Sequence, residues 1–125
     1  MENLTFIMEN YLEAVYELSQ EKGFARISDV AQRLNVSKAS ASNAMQSLLA
    51  KGLINTEKYR EIYLTDEGRK FAEWTAKKHR AIKRFFTEIL KVDEEIADSD
   101  ACAIEHVISN ASLKAIEKFL EKDEK

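Results

Sequence analysis

The chain has 125 residues, 45% hydrophobic and 33% charged, with three Gly, no Pro and one Cys. This length can bury a real core without disulfide or metal staples. The lone Cys excludes an internal disulfide and fits a reducing cytosol, and no apolar run approaches the ~20 residues that span a bilayer.

The start MENLTF lacks a basic secretion-signal region, so a cytoplasmic protein with no membrane partner is expected. Scarce Gly and absent Pro disfavour a turn-rich β architecture and favour long helices on short links. The formal net charge of −3 is unevenly spread: −5 over residues 1–21, +4 over 22–70, +3 over 71–90 and −5 over 91–125. A basic middle between acidic ends suits a chain that turns one face to a polyanion.

Leu4, Ile7, Met8, Tyr11, Leu12, Val15, Tyr16 and Leu18 recur at helical spacing, and Gly23 can end that helix. Val30, Ala31 and Leu34 form the stripe of a short helix over about 28–34, with Ser28 as the expected N-cap. Asn35 and Val36 make a tight turn, and Ser37 caps a third helix over 38–51. Its buried face is Ala41, Ala44, Met45, Leu48 and Leu49, with Val36 and Ala41 placed as a hydrophobic staple. Gly52 stands where a C′ glycine belongs. Residues 53–58 and 61–64 read as two short strands around Tyr59 and Arg60. Thr65 then caps a long helix that opens on Asp66 and Glu67 and is expected to reach Leu90. Two more helices follow, over about 93–107 and 111–123, with Asn110 and Ser112 as turn or cap residues.

Two helices joined by a tight turn and followed by a hairpin predict a winged helix-turn-helix with a two-stranded wing. The non-core face of the 38–51 helix is Lys38, Ala39, Ser42, Asn43 and Gln46. These are mostly small residues that let the helix enter a major groove. Asn43 can pair with adenine, Ala39 can touch a thymine methyl, and Ser37 and Ser42 can hold phosphates. Arg26, Lys58 and Arg60 flank that helix from the preceding turn and the wing. A solvated polar helix face is the alternative.

His79 lies on the long helix, and His106 ends a Cys102-x-x-Glu105-His106 run whose offsets of three and four share one helical face. Thiolate, carboxylate and imidazole together make a first-row metal ligand set. Asn10 and Glu13 are an oxygen-bearing pair three apart on the first helix. A buried Cys beside a surface Glu-His pair is the alternative. A Cys102–His106 nucleophile would need an orienting residue and an oxyanion loop; neither can be identified, so no enzyme is expected.

The segments ENYLEAVYEL, EKGFARISDVAQRL, EKYREIYLTDEG, KKHRAIKRF and ACAIEHVIS, in this order, resemble the diphtheria toxin repressor family. The likeness is strongest to its short, manganese-responsive branch. The resemblance implies a mainly α fold: a winged helix-turn-helix DNA-binding domain over 1–70 and a helical metal-binding and dimerisation domain over 71–125. It implies a cytosolic homodimer that binds an operator in double-stranded DNA when Fe(II) or Mn(II) is bound. Co(II), Ni(II) and Zn(II) are expected to bind in vitro, and no organic substrate is expected. Longer members carry an SH3-like domain, which this short branch is expected to lack.

Carried over by position, the implied metal ligands are Asn10, Glu13, His79, Cys102, Glu105 and His106. Asn10 stands where iron-type members have Met and manganese-type members Asp, and is the weaker oxygen donor. Glu13 follows the manganese type and Cys102 the iron type. The iron type's second site uses Glu at the position of Lys83 and His at that of Asp98, so that site is expected to be absent or altered. The apolar positions Ile96, Val107, Ile108, Leu113, Ile116 and Leu120 predict a dimer face through 93–123. Two rivals are a winged-helix regulator that does not sense metal and a metal-binding interaction module without operator binding.

Overall fold

Thr5 opens the first helix, α1 (Phe6–Lys22), its hydroxyl accepting the Met8 N–H at 3.2 Å. In this computed structural model, which describes residues 4–57 and 61–123, the chain forms two compact units that divide after Glu73. Gly23, at φ 85°, closes α1 by returning its N–H to the Ser19 carbonyl. Tyr11, Leu12, Val15 and Leu18 recur every three or four residues along α1, and all are buried.

The second helix, α2 (Ile27–Leu34), starts one residue earlier than the spacing predicts, and Arg26 rather than Ser28 is its N-cap. The cause is tertiary. Ala25 exchanges two backbone hydrogen bonds with Ile62, at 2.9 and 2.7 Å, and so stays extended just before the helix begins. Arg33 ties α2 to α1 through Glu17 at 3.1 Å and Glu21 at 2.7 Å. Asn35, at φ 55°, makes the turn. Ser37 then caps α3 (Lys38–Ala50) by accepting the Ser40 N–H at 3.0 Å. Ala41, Ala44, Met45 and Leu48 on α3 join the same core as Val30 and Val15; Leu49, expected to be buried, is 43% exposed.

The wing is shorter than expected: β1 (Ile54–Thr56) and β2 (Ile62–Leu64) pair antiparallel, with Ile54 opposite Leu64. Leu53 and Glu57 lie outside the strand proper, although the Glu57 N–H still reaches the Glu61 carbonyl. Thr65 is the joint after the wing. Its hydroxyl donates to the Gly52 carbonyl at 2.7 Å and accepts the Gly68 N–H at 3.0 Å. Gly68 packs so tightly on the Leu53 backbone that a Cβ there would sit 2.0 Å from the Leu53 carbonyl oxygen.

Thr65 thereby starts α4 (Asp66–Arg84), which carries Phe71 and Ala72 in the core of the first unit and continues beyond Glu73. The expected helix to Leu90 does not stay α-helical: Phe85–Ile89 is a π-helical turn, with the Leu90 N–H on the Phe85 carbonyl. A five-residue stretch is too short for apolar spacing to separate the two periods. In the second unit α5 (Glu94–Ile104) and α6 (Asn110–Asp123) follow. Ser109, not Asn110 or Ser112, caps α6, accepting the Ser112 N–H at 3.1 Å. Ala81, Ile82, Ala97, Ala101, Leu113 and Leu120 are buried here. Two positions assigned to a dimer face, Leu113 and Leu120, are therefore already covered, whereas Ile96 and Val107 are 56% and 74% exposed.

Candidate metal centre and DNA-reading face

In the first unit, core packing of Ala41, Ala44, Met45 and Leu48 turns the opposite face of α3 outward. Ser37, Lys38, Ala39, Asn43 and Gln46 are exposed and Ser42 is half-buried. Ser37 also spends its hydroxyl oxygen on the helix cap. Beside this face runs a groove of about 270 Å³ with Met45, Leu49 and Ile62 among its lining and Ser42, Gln46 and Glu57 at its polar edge. Arg26 lies over the Phe24 ring at 5.4 Å and pairs with Glu61 at 3.5 Å, a partner the sequence reading missed. Glu61 also accepts the Tyr63 hydroxyl, and that hydrogen bond holds the phenol above its ordinary pKa. The two wing cations Lys58 and Arg60 lie outside the described residues. Asn10 and Glu13 are both half-buried on α1.

In the second unit three sequence-predicted residues come together. The side chain of Glu105 is 0% exposed. Its Oε1 lies 3.2 Å from Nδ1 of His79, and its Oε2 is buried with no hydrogen-bond partner among the described residues. A buried carboxylate oxygen left without a donor is costly, of order 1–3 kcal/mol or more for a charged group. The half-buried His106 brings a ring nitrogen within 4.8 Å of the Glu105 carboxylate. Burial pushes the Glu105 carboxyl above its ordinary pKa, against the lowering pull of His79, His106 and the buried Lys78.

Cys102 stands apart in exposure. It lies on α5, is solvent-exposed and is in no disulfide; the alternative of a buried structural Cys is thus corrected. Along the 102, 105, 106 run Cys102 is exposed while Glu105 is buried; α5 ends at Ile104, and the Val107 N–H takes the Ile104 carbonyl. Sequence reasoning noted Asp98 and Lys83 only as departures from a pattern. In the fold Nε2 of His79 is 2.9 Å from Oδ1 of Asp98, and Lys83 Nζ is 3.4 Å from both Asp98 and Glu94. The hydrogen bond from His79, aided by Lys83, holds the Asp98 carboxyl below its ordinary pKa. The signal available in sequence was the i, i+4 spacing of 79/83 and 94/98 on two adjacent helices.

No described helix is long and apolar enough to cross a membrane. Residues 3–62 match the family described as iron dependent repressor, N-terminal DNA binding domain. Residues 65–125 match iron dependent repressor, metal binding and dimerisation domain. The HTH-type transcriptional regulator MntR of Bacillus velezensis is 37% identical over 120 residues, covering 94% of this chain and 84% of that protein. MntR of Bacillus subtilis is 38% identical over 109 residues, covering 87% and 76%. The crystal structure of ScaR with bound Zn2+ matches at a TM-score of 0.81 and 30% identity, over 91% of this chain and 53% of that one. The chain thus spans most of the length of these curated relatives and about half that of the solved one.

Proposed function

Because this chain belongs to the iron dependent repressor family of metal-dependent, DNA-binding transcriptional regulators, we propose that Glu105 and His106 are the core of its divalent-metal site. One observation carries this reading: Glu105 is fully buried, and one of its oxygens has no donor among the described residues. Carboxylate and imidazole are a donor pair that first-row divalent ions accept, so the residues present fit the cofactor. His79 presents Nδ1 beside Glu105, and Cys102, Glu13 and Asn10 are the further ligands that the family resemblance implies. The bound ion supplies two positive charges, which compensate carboxylates that would otherwise repel one another.

The same reading assigns the work of the other residues. Asn43, Ala39 and Lys38 read base edges from the exposed face of α3. Ser37, Ser42, Arg26, Lys58 and Arg60 hold phosphates. The second unit carries the contacts of a homodimer, which presents two reading heads to an operator with two half-sites. Fe(II) and Mn(II) are the proposed physiological effectors, and control of metal homeostasis is the task. Metal shifts the DNA-binding equilibrium only by as much as it prefers the DNA-competent state.

The test is DNA binding by the full chain with Mn(II) or Fe(II) and with a chelator, beside a Glu105→Gln variant. Wild type should tighten with metal, and the variant should keep its fold and lose the response. Operator affinity that ignores both chelator and substitution would sink the reading.

A further inference from the structure

At the base of the wing, Ala25 and Ile62 pair antiparallel through backbone hydrogen bonds of 2.9 and 2.7 Å, and both side chains are buried. Antiparallel pairing sets the flanking residues across from one another, Phe24 by Tyr63 and Arg26 by Glu61. None of these four belongs to the buried core. Their side chains close a ring of contacts outside it. Phe24 and Tyr63 lie 6.3 Å apart between ring centroids, and the Arg26 guanidinium stands 5.4 Å over Phe24. One Glu61 oxygen is 3.5 Å from Arg26, and the other accepts the Tyr63 hydroxyl.

The Tyr63 hydroxyl anchors the carboxylate, and the Phe24 face steadies the guanidinium. The Glu61 side chain is accordingly 25% exposed, while that of Arg26 is 52% exposed. Ile27 and Ile62, next to Arg26 and Glu61 in the chain, line the groove beside Ser42 and Gln46 of α3. A cation next to the exposed face of α3 is thus held by an anchored carboxylate of the same chain. We propose that Glu61 is a positioning residue that competes with DNA phosphate for Arg26 and so tempers affinity for DNA of any sequence. The inference deepens the DNA-reading assignment and rests on it for Arg26 as a phosphate contact.

A phosphate can take Arg26 only by displacing Glu61, which then faces a polyanion without its counter-charge. One exposed charge-assisted contact is exchanged for another, so Arg26 adds little to the sequence-independent part of binding. Base contacts from α3 are untouched by this exchange. Their share of the total is larger with Glu61 in place than without it.

The experiment measures DNA binding by full-chain wild type, Glu61→Gln, Arg26→Ala and the double variant, with Mn(II) and over a series of salt concentrations. One probe is a mixed-sequence duplex; the other is the tightest duplex that wild type selects from a random pool. Gln keeps an oxygen for the Tyr63 hydroxyl, and circular dichroism checks each fold. Glu61→Gln should tighten binding to both duplexes by a similar factor, up to about fivefold, the scale of one exposed ion pair. It should also steepen the salt slope by up to about one. In the Arg26→Ala background the gain should shrink, because Glu61 then has no arginine to withhold. Unchanged affinity and slope in folded Glu61→Gln would overturn the proposal. So would a gain of the same size without Arg26, which would reduce Glu61 to simple repulsion of the polyanion. Wild type that binds DNA equally with Mn(II) and with a chelator would sink the metal-sensing reading alone, since the competition for Arg26 is read between variants. No DNA binding by any of the four would sink both.

Discussion

The Glu105 carboxyl is buried, raised in pKa by that burial, and, among the described residues, paired on one oxygen only. A carboxyl whose folded pKa is raised contributes stability below its unfolded pKa and loses it as pH rises through the folded value. Metal-free protein should therefore lose the stability due to this group as pH climbs through and above the ordinary carboxylate range. Glu105→Gln should stabilise the metal-free protein at neutral pH by on the order of 1 kcal/mol, seen as a higher melting midpoint, while removing any rise in that midpoint on adding Mn(II). Metal affinity of the wild type should weaken with acid at a higher pH than ordinary carboxylates titrate, because protons compete at Glu105. A titration of Mn(II) affinity against pH checks this; a flat profile through that range counts against Glu105 as a ligand. Cys102 gives a second residue-scale expectation. Its exposed thiolate favours Fe(II) or Co(II) over the harder Mn(II), so Cys102→Glu should lower the Mn(II) concentration for half-activation relative to Fe(II). An unchanged ratio removes Cys102 from the site. His79, Glu105 and His106 were singled out in sequence, and the fold brings His79 and His106 close to Glu105. What was not legible is that Glu105 is sealed in while Cys102 faces solvent, since a helical offset does not say what packs over each side chain.

Among the elements, caps were the most readable feature where a side chain supplied the hydrogen bond, as at Ser37 and Thr65. They were misread where backbone pairing from far along the chain intervened: Ala25 meets Ile62 and shifts the start of α2. Helix α3 and the wing followed from local pattern alone, because the helical stripe and the alternating strands are each set by near neighbours. The Gly68 contact was not readable, since it depends on the Leu53 carbonyl fifteen residues away. Gly68→Ala should destabilise the winged unit by about 2–3 kcal/mol, because the new methyl meets backbone that cannot rotate aside. Thermal melting measures it; a shift within experimental error would mean that the start of α4 moves away from Leu53 at little cost.

On the scale of the whole molecule, the acidic ends and basic middle agree with a chain that offers a polyanion only part of its surface. If Arg26, Lys58 and Arg60 hold phosphates, replacing each with Ala should weaken binding to all DNA sequences alike and lower the salt slope by about one per contact. Arg26 should show the smallest effect, because Glu61 already holds it. Asn43→Ala should instead cost roughly 1–3 kcal/mol of discrimination between operator and mismatched DNA. A slope unchanged in all three Ala variants would take them out of the interface.

The two segments that match separate family descriptions meet between residues 62 and 65, yet the packed units divide after Glu73, well inside α4. An exchange of reading heads between relatives, made at the seam where the two descriptions meet, would therefore take Phe71 and Ala72 out of the core they help to close. A cut after Glu73 would keep them but leave the last carbonyls of a two-turn helix without N–H donors. A DNA-reading head able to travel between proteins has to bring the opening turns of α4 with it, plus one turn more. The unit of inheritance is longer than the unit of recognition.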